Sequence, residues 1–488
     1  MTLFHRSPTT KVLALVGACL LGCGPAATPN DLYAFRFGET SFLAEFPMTD
    51  EVYIGLGLSG GGHRASAFGY GVLLELASIK AADPLSEGQS LADSVRFVAG
   101  VSGGAVTATW FALRGPDGLG SFRERYLLQD GERYLLNDPF SWSEITRTLQ
   151  DGVDARDSFG RVLDDELFRG ATFSDLDRAN PVALRIVASD VAQAAPFIFD
   201  DQTFGALCRN LSVVPLSEAV AASAALPPAF RPEVIWADRR FCGPARDLGA
   251  FRVSADRQVQ AVLRLLAETR ARYADPADVA SVRLLDGGFT DTLGVSGFVA
   301  SRAQAALPFA PMGAEQAVRL RHILFLAVDA TSDRGRIAET LSPGARTLSL
   351  SLYGLNQRLS DDGGGSLDML LSQRAILAAT NDSLETLRAA LSEWQRDLIS
   401  WRCSLAPETV AALHGAQPAD WNCRDVTLFV GLVSPDGLPH DLREAVHDVP
   451  TRLRLPIETI DLVTDAGRIA ARRNPALIGL LRQLQGAP

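Results

Sequence analysis

Two apolar patterns alternate along the chain. Short unbroken apolar runs, suited to strands buried on both faces, occur at 52–58, 94–101, 182–188, 282–285, 323–328 and 426–432. Between them lie stretches whose apolar residues recur every three or four positions, as on one face of a helix. In 65–79 these are Phe68, Val72, Leu76 and Ile79, and 105–113 and 256–273 read the same way. In 366–401, Leu384, Leu387, Leu391, Trp394 and Leu398 mark a long amphipathic helix that packs on the core. The β–α alternation predicts an α/β fold, a three-layer α/β/α arrangement with a central, mostly parallel sheet. Residues 334–348 carry no clear signal, and 361–365 reads as a flexible loop.

The first stretch breaks this rhythm. Arg6 and Lys11 precede an apolar run at 12–21, about ten residues and too short to span a bilayer. It ends in Leu20-Leu21-Gly22-Cys23, which resembles a bacterial lipoprotein cleavage box. That resemblance implies a signal peptide over 1–22 and lipidation of Cys23. Gly24 after the cysteine implies sorting to the outer membrane of a bacterial cell envelope. The alternative is a plain secretory signal with a chance cysteine. Pro25, Pro29 and Pro47 mark 23–50 as a tether, 51–473 as the folded domain and 474–488 as a C-terminal tail.

With 488 residues, 47% hydrophobic and 21% charged, the composition is that of an ordinary globular protein. Length alone suggests roughly three domains, but large α/β enzymes often form one. A formal net charge of -11 without basic clusters argues against a nucleic-acid partner and against electrostatic docking on anionic lipid. Six cysteines are present; with Cys19 and Cys23 assigned to the leader, Cys208, Cys242, Cys403 and Cys423 remain. Nearness in sequence suggests the pairs Cys208–Cys242 and Cys403–Cys423 in an oxidising compartment. No CxxC or histidine-rich spacing calls for a metal, and no motif calls for a cofactor.

Three short motifs bear on chemistry. Gly100-Val-Ser-Gly-Gly104 lies where a strand runs into a helix. Small neighbours suit a serine on a strained, sharp turn that pushes its hydroxyl out of the sheet. Taken alone, the motif also fits a glycine-rich turn with an idle serine. Ser59-Gly-Gly-Gly-His-Arg-Ala65 follows the first strand, and successive glycine amides there suit a developing oxyanion. Asp286-Gly287-Gly288 follows the strand at 282–285 and puts a carboxylate at the sheet's carboxyl edge, within reach of Ser102 as a base; the plainer reading is a turn-forming aspartate. Gly55-x-Gly57-x-x-Gly60 matches a dinucleotide fingerprint, but its first two glycines lie inside the apolar strand rather than after it. Of the histidines, His322 precedes a strand, His414, His440 and His447 lie in polar stretches, and His63 sits in the glycine loop, so none stands out as a triad base.

In this order, the three loops resemble those of the patatin-like phospholipases. The resemblance implies a Ser–Asp dyad of Ser102 and Asp286 without histidine, and an oxyanion loop of Gly60, Gly61 and Gly62. The segments at 189–199, 216–232 and 451–468 extend the likeness over about 52–472. Ser59 replaces the aspartate of plant patatins, and Ser-Gly-Gly-Gly-x-Arg-Ala looks more like the loop of the related cytosolic phospholipases. Arg64 would there place a substrate phosphate, or else fix the loop by bonding carbonyls. Thr292 stands where asparagine is frequent. The expected function is a serine acyl-ester hydrolase acting on a phospholipid or lysophospholipid. The alternatives are a non-catalytic lipid-binding envelope lipoprotein on the same fold, and a serine peptidase.

Acyl chains on Cys23 would hold the protein firmly, since each buried methylene contributes about 0.8 kcal/mol. Replacing Cys23 with serine is therefore expected to abolish labelling by radioactive palmitate and to release the chain from the membrane fraction. An unlabelled wild-type chain would contradict the lipoprotein reading.

Overall fold

The computed structural model describes residues 51–80, 89–132, 156–179, 182–226, 230–238, 250–275, 277, 279–331, 373–414 and 421–485. The leader and tether with Cys23, the segments 334–348 and 361–365, and Cys242 lie outside the described residues. In chain order the strands are β1 (Val52–Leu58), β2 (Val95–Val101), β3 (Ala183–Asp190), β4 (Ala195–Ile198), β5 (Glu233–Trp236), β6 (Ser281–Leu285), β7 (His322–Val328) and β8 (Thr427–Val433). The helices that matter here are α1 (Gly62–Ser78), α2 (Gly103–Arg114), α3 (Leu216–Ser223), α4 (Arg257–Ala274), α5 (Val295–Gln304), α6 (Gln373–Cys403), α7 (Ile457–Arg472) and α8 (Pro475–Leu484).

All strands join one sheet in the order β5-β6-β3-β2-β1-β7-β8, with β4 branching from β3. From β3 through β8 the pairs are parallel. The period-two alternation of strand side chains sorts the core into two layers. Val52, Ile54, Leu56 and Leu58 of β1 share a core with Phe68 and Val72 of α1, Val106 of α2, Leu216 of α3 and Ile460 of α7. Tyr53, with Ile323 and Phe325 of β7, packs in the other core with Leu263 of α4, Phe298 of α5 and Trp394 of α6. The expected three-layer α/β/α arrangement with a mostly parallel sheet is what forms.

Gly55 and Gly57 belong to this second layer. A Cβ on Gly55 would lie 2.5 Å from the Phe325 ring, and one on Gly57 would lie 2.5 Å from the Leu293 carbonyl. These glycines make room for packing against β1, so the dinucleotide-like spacing has a steric cause. At 366–401 the bland expectation also holds: Leu387, Leu391, Trp394 and Leu398 are buried against the sheet.

Three features go beyond what the sequence indicated. The strand at 282–285 forms as β6 but runs antiparallel to β3 and β5. β4 and β5 had no sequence signal, because four residues containing Pro196, or ending in the exposed Trp236, show neither an apolar run nor clear alternation. The supposed tail is helix α8. The Asn474 side chain accepts from the Ala476 amide at 2.9 Å, capping the helix, and donates to the Leu432 carbonyl of β8 at 2.8 Å. Leu477 and Leu480 are then buried in the first core layer. On the same side, Arg472 of α7 makes a two-pronged ion pair with the buried Glu75 of α1, at 2.7 and 2.8 Å.

Cys403 and Cys423 form a disulfide. Cys208 is also disulfide-bonded, while its expected partner Cys242 is outside the described residues. Beside the first bridge, the buried Arg402 donates to the carbonyls of Leu320 and Asn422 and stacks on Trp421. These groups brace the amino ends of β7 and β8, away from the loops that follow the parallel strands. A bridge spanning 20 residues contributes about 3 kcal/mol by loop-closure entropy. The Cys403→Ser/Cys423→Ser protein is expected to lose about that much stability in chemical denaturation. Its kcat should remain unchanged.

Candidate active site

Ser102 occupies the turn between β2 and α2, with φ 51° and ψ -122°. A non-glycine residue in such a conformation costs of the order of 1–3 kcal/mol and persists only where its surroundings enforce it. Here the enforcement is steric. A side chain on Gly103 would overlap the Gly62 carbonyl, and one on Gly104 would overlap the Leu58 carbonyl. The two glycines therefore let the first turn of α2 lie directly on the β1–α1 loop. The Ser102 amide donates to the Ser223 hydroxyl at 2.9 Å, and that hydroxyl donates to the Val187 carbonyl at 2.6 Å.

Asp286 reaches Ser102 from the opposite direction. At Val187, β3 pairs with Val101 of β2 and Ile198 of β4; at Ser189 it pairs with Pro196 of β4 and Leu285 of β6. A strand has two edges, and β4 fills one. β2 and β6 therefore share the other and meet there end to end. Ser102 follows the last residue of β2, and Asp286 follows the last residue of β6. The Ser102 hydroxyl lies near enough to the Asp286 carboxyl to lower its pKa, and Asp286 Oδ1 accepts from the Gly288 amide at 2.9 Å. Both side chains are nearly enclosed, at 6% and 7% exposure. Burial raises the Asp286 pKa to about 6, against the lowering effect of the Ser102 hydroxyl and the Gly288 amide.

The glycine loop closes a third side. A Cβ on Gly60 would stand 3.3 Å from Ser102 Cβ and 3.8 Å from Asp286 Oδ1, so this backbone touches both residues. Gly61 and Gly62 have φ of 133° and 60°, in the region that favours glycine. Among the described residues, the amides of Gly60 and Gly61 donate to no protein group. The Ser59 hydroxyl accepts from the Ala330 amide at 2.8 Å, tying the loop to the end of β7.

Arg64 takes the second of its two expected roles. At 2% exposure it donates to the carbonyls of Ala330, at 2.9 Å, and Val449, and to the Thr451 hydroxyl at 3.2 Å. Burial lowers its pKa to about 10. The guanidinium's hydrogen bonds hold the 449–451 segment against the loop. His63 is buried and stacked on Tyr126, with ring centroids 4.5 Å apart. Its Nε2 faces the Tyr126 carbonyl at 3.4 Å, and burial lowers its pKa to about 4. His322 lies at the start of β7, and His440 and His447 pair with Asp441 and Asp436. No hydrogen bond among the described residues links a histidine to Ser102 or Asp286.

Several residues the sequence did not single out hold this site. The Ser189 hydroxyl donates to the Gly287 carbonyl at 3.2 Å and lies 2.8 Å from Thr290 Oγ1, which pins the turn after Asp286. Asp291 is buried and accepts from the amides of Val295, at 3.0 Å, and Ser296, at 2.7 Å, capping α5. Ser223 is the residue against the Ser102 amide. Only its place in the 216–232 segment hinted at a role. Among the described residues, no group of three or more His, Cys, Asp or Glu is arranged to hold a metal ion.

The arrangement defines a class: an α/β protein with a serine on a strained strand-to-helix turn, a buried aspartate facing it and a glycine loop over both. A family model described as patatin-like phospholipase matches residues 56–299, half of the 488-residue chain, and the chain belongs to that family. No curated protein matches the sequence. Solved structures to which the chain is similar at low levels include three from human and bacterial sources. Human GIVD cytosolic phospholipase A2 is 14% identical, with TM-score 0.33, over 70% of this chain and 61% of that one. The chain thus spans under two thirds of the human enzyme's length. VipD from Legionella pneumophila is 11% identical, with TM-score 0.26, over 88% and 94% of the two chains. ExoU of Pseudomonas aeruginosa, solved with SpcU, is 16% identical, with TM-score 0.21, over 76% and 75%.

The buried carboxyl is directly measurable. Carbon-detected NMR titration of the wild-type protein should show one carboxyl with a pKa near 6, absent from Asp286→Asn. In Ser102→Ala the same signal should titrate at higher pH, because the lost hydroxyl favours the ionised form.

Proposed function

We propose that the chain is a serine acyl-ester hydrolase of phospholipase A or lysophospholipase type, working through a Ser102–Asp286 dyad. The convergence of the Ser102 hydroxyl, the enclosed Asp286 carboxyl and the Gly60 backbone supports this reading. Ser102 Oγ attacks the ester carbonyl as Asp286 takes the hydroxyl proton. The carbonyl oxygen becomes an oxyanion beside the amides of the glycine loop, Gly60, Gly61 and Gly62. Collapse of the intermediate breaks the bond to the alcohol, which leaves with the proton from Asp286. Water then attacks the acyl-serine, Asp286 takes its proton, and collapse returns that proton to Ser102 as the fatty acid departs.

A pKa of about 6 suits this double role. The carboxylate is ionised at neutral pH, yet it is a stronger base than an ordinary aspartate. The free amides of Gly60 and Gly61 support the oxyanion assignment. The same proposal sets the enzyme on a bacterial cell envelope, anchored through Cys23, with a lipid ester in the adjoining membrane as its substrate. Its support there is the Leu20–Cys23 motif.

Purified protein should hydrolyse a phospholipid or a chromogenic acyl ester and react covalently with a fluorophosphonate. Ser102→Ala and Asp286→Asn should each lower kcat by about a thousandfold or more while leaving the fold intact. The rate should fall as pH drops below about 6, where Asp286 becomes protonated. Full activity in either variant would remove the dyad.

A further inference from the structure

We propose that Ser223 is the positioning residue of the nucleophile: its hydroxyl, wedged where β2 and β6 meet, holds the Ser102 peptide and so sets the approach of Ser102 to Asp286. The inference rests on the reading of those two residues as the reacting pair.

The junction leaves a gap that the sheet cannot fill. The Ile186 carbonyl accepts from the Phe199 amide at 3.0 Å, on the β4 edge of β3. Carbonyls alternate along a strand, so that of Val187 points to the opposite edge, where β2 ends and β6 has yet to begin. Gly287 crosses over it so closely that a Cβ would overlap the Val187 oxygen. The Ser223 hydroxyl enters this gap, donating to Val187 at 2.6 Å and accepting from the Ser102 amide at 2.9 Å. Ser223 is fully buried at the carboxyl end of α3.

Two residues further on, the Ala225 carbonyl accepts from the Asp286 amide at 3.0 Å. One short segment therefore grips the backbone of both reacting residues. It matters more at Ser102, whose φ of 51° is not a conformation the residue prefers. Without the hydroxyl, the Ser102 amide loses this partner, and the peptide can relax and carry Oγ away from the carboxyl. The nearby Ser102 hydroxyl lowers the carboxyl's pKa, so the slip would be visible in titration.

The test is Ser223→Ala in the full chain. It should fold as the wild type by circular dichroism, lose about tenfold in kcat and keep KM within about twofold. The acid limb of its pH–rate profile should move to higher pH, a change that general loosening of the fold would not cause. Ser223→Cys keeps a hydrogen-bonding side chain, bulkier and a poorer acceptor, and should fall between the two. Ser217→Ala, which removes another buried hydroxyl from α3, should leave kcat unchanged. Either folded Ser223 variant with wild-type kcat and pH profile overturns the proposal, as does an equal loss in Ser217→Ala. Activity surviving in Ser102→Ala would instead remove the underlying dyad, whatever the Ser223 variants show.

Discussion

The pairing of β6 with β3 is the constraint on which the site depends. β3 is parallel to β2 through Val187 and antiparallel to β6 from Ser189. That change of partner on one edge brings two strand ends face to face. A serine leaving β2 and an aspartate leaving β6 then meet without any long loop to carry either of them. Loops would have to be ordered at an entropic cost, whereas strand ends inherit their positions from the sheet.

Close approach of backbones is the second element of the design. The turn before α2 lies on the loop before α1, and the turn after β6 lies on the Val187 carbonyl. Glycine is what allows these contacts, and it explains why small residues gather at three separate places in the chain. The enclosure they produce also sets the electrostatics. A carboxyl shut away from water at 7% exposure holds its proton more tightly, and only the Ser102 hydroxyl and the Gly288 amide offset that effect. A raised carboxyl pKa and a strained serine thus arise from the same packing.

Charged groups elsewhere serve the frame. Arg64 secures the glycine loop to the 449–451 segment, Glu75 and Arg472 lock α1 to α7, and Arg402 braces the amino ends of β7 and β8. Each is a buried or half-buried charge whose hydrogen bonds are made within the protein. A motif containing arginine beside a glycine loop invites a substrate role, but its environment gives it a structural one.

Much was legible in the sequence because it rests on local patterns. Apolar runs placed the strands β1, β2, β3, β6, β7 and β8 to within a residue or two, and helical spacing placed α1, α2, α4 and α6. Ser102, Asp286 and the glycine loop were visible because strained turns and close backbones demand small neighbours. Strand direction was not visible, since an apolar run of four residues reads the same either way; only pairing with β3 decided it. Helix α8 was missed because its burial depends on β8 as a partner, not on its own length. Ser223 and Asp291 were missed because a hydroxyl or carboxyl gains its role from groups distant in the chain. The sequence by itself determined which residues could do chemistry. The tertiary structure decided which of them touch, because contact depends on strand order and direction, and no local pattern encodes these.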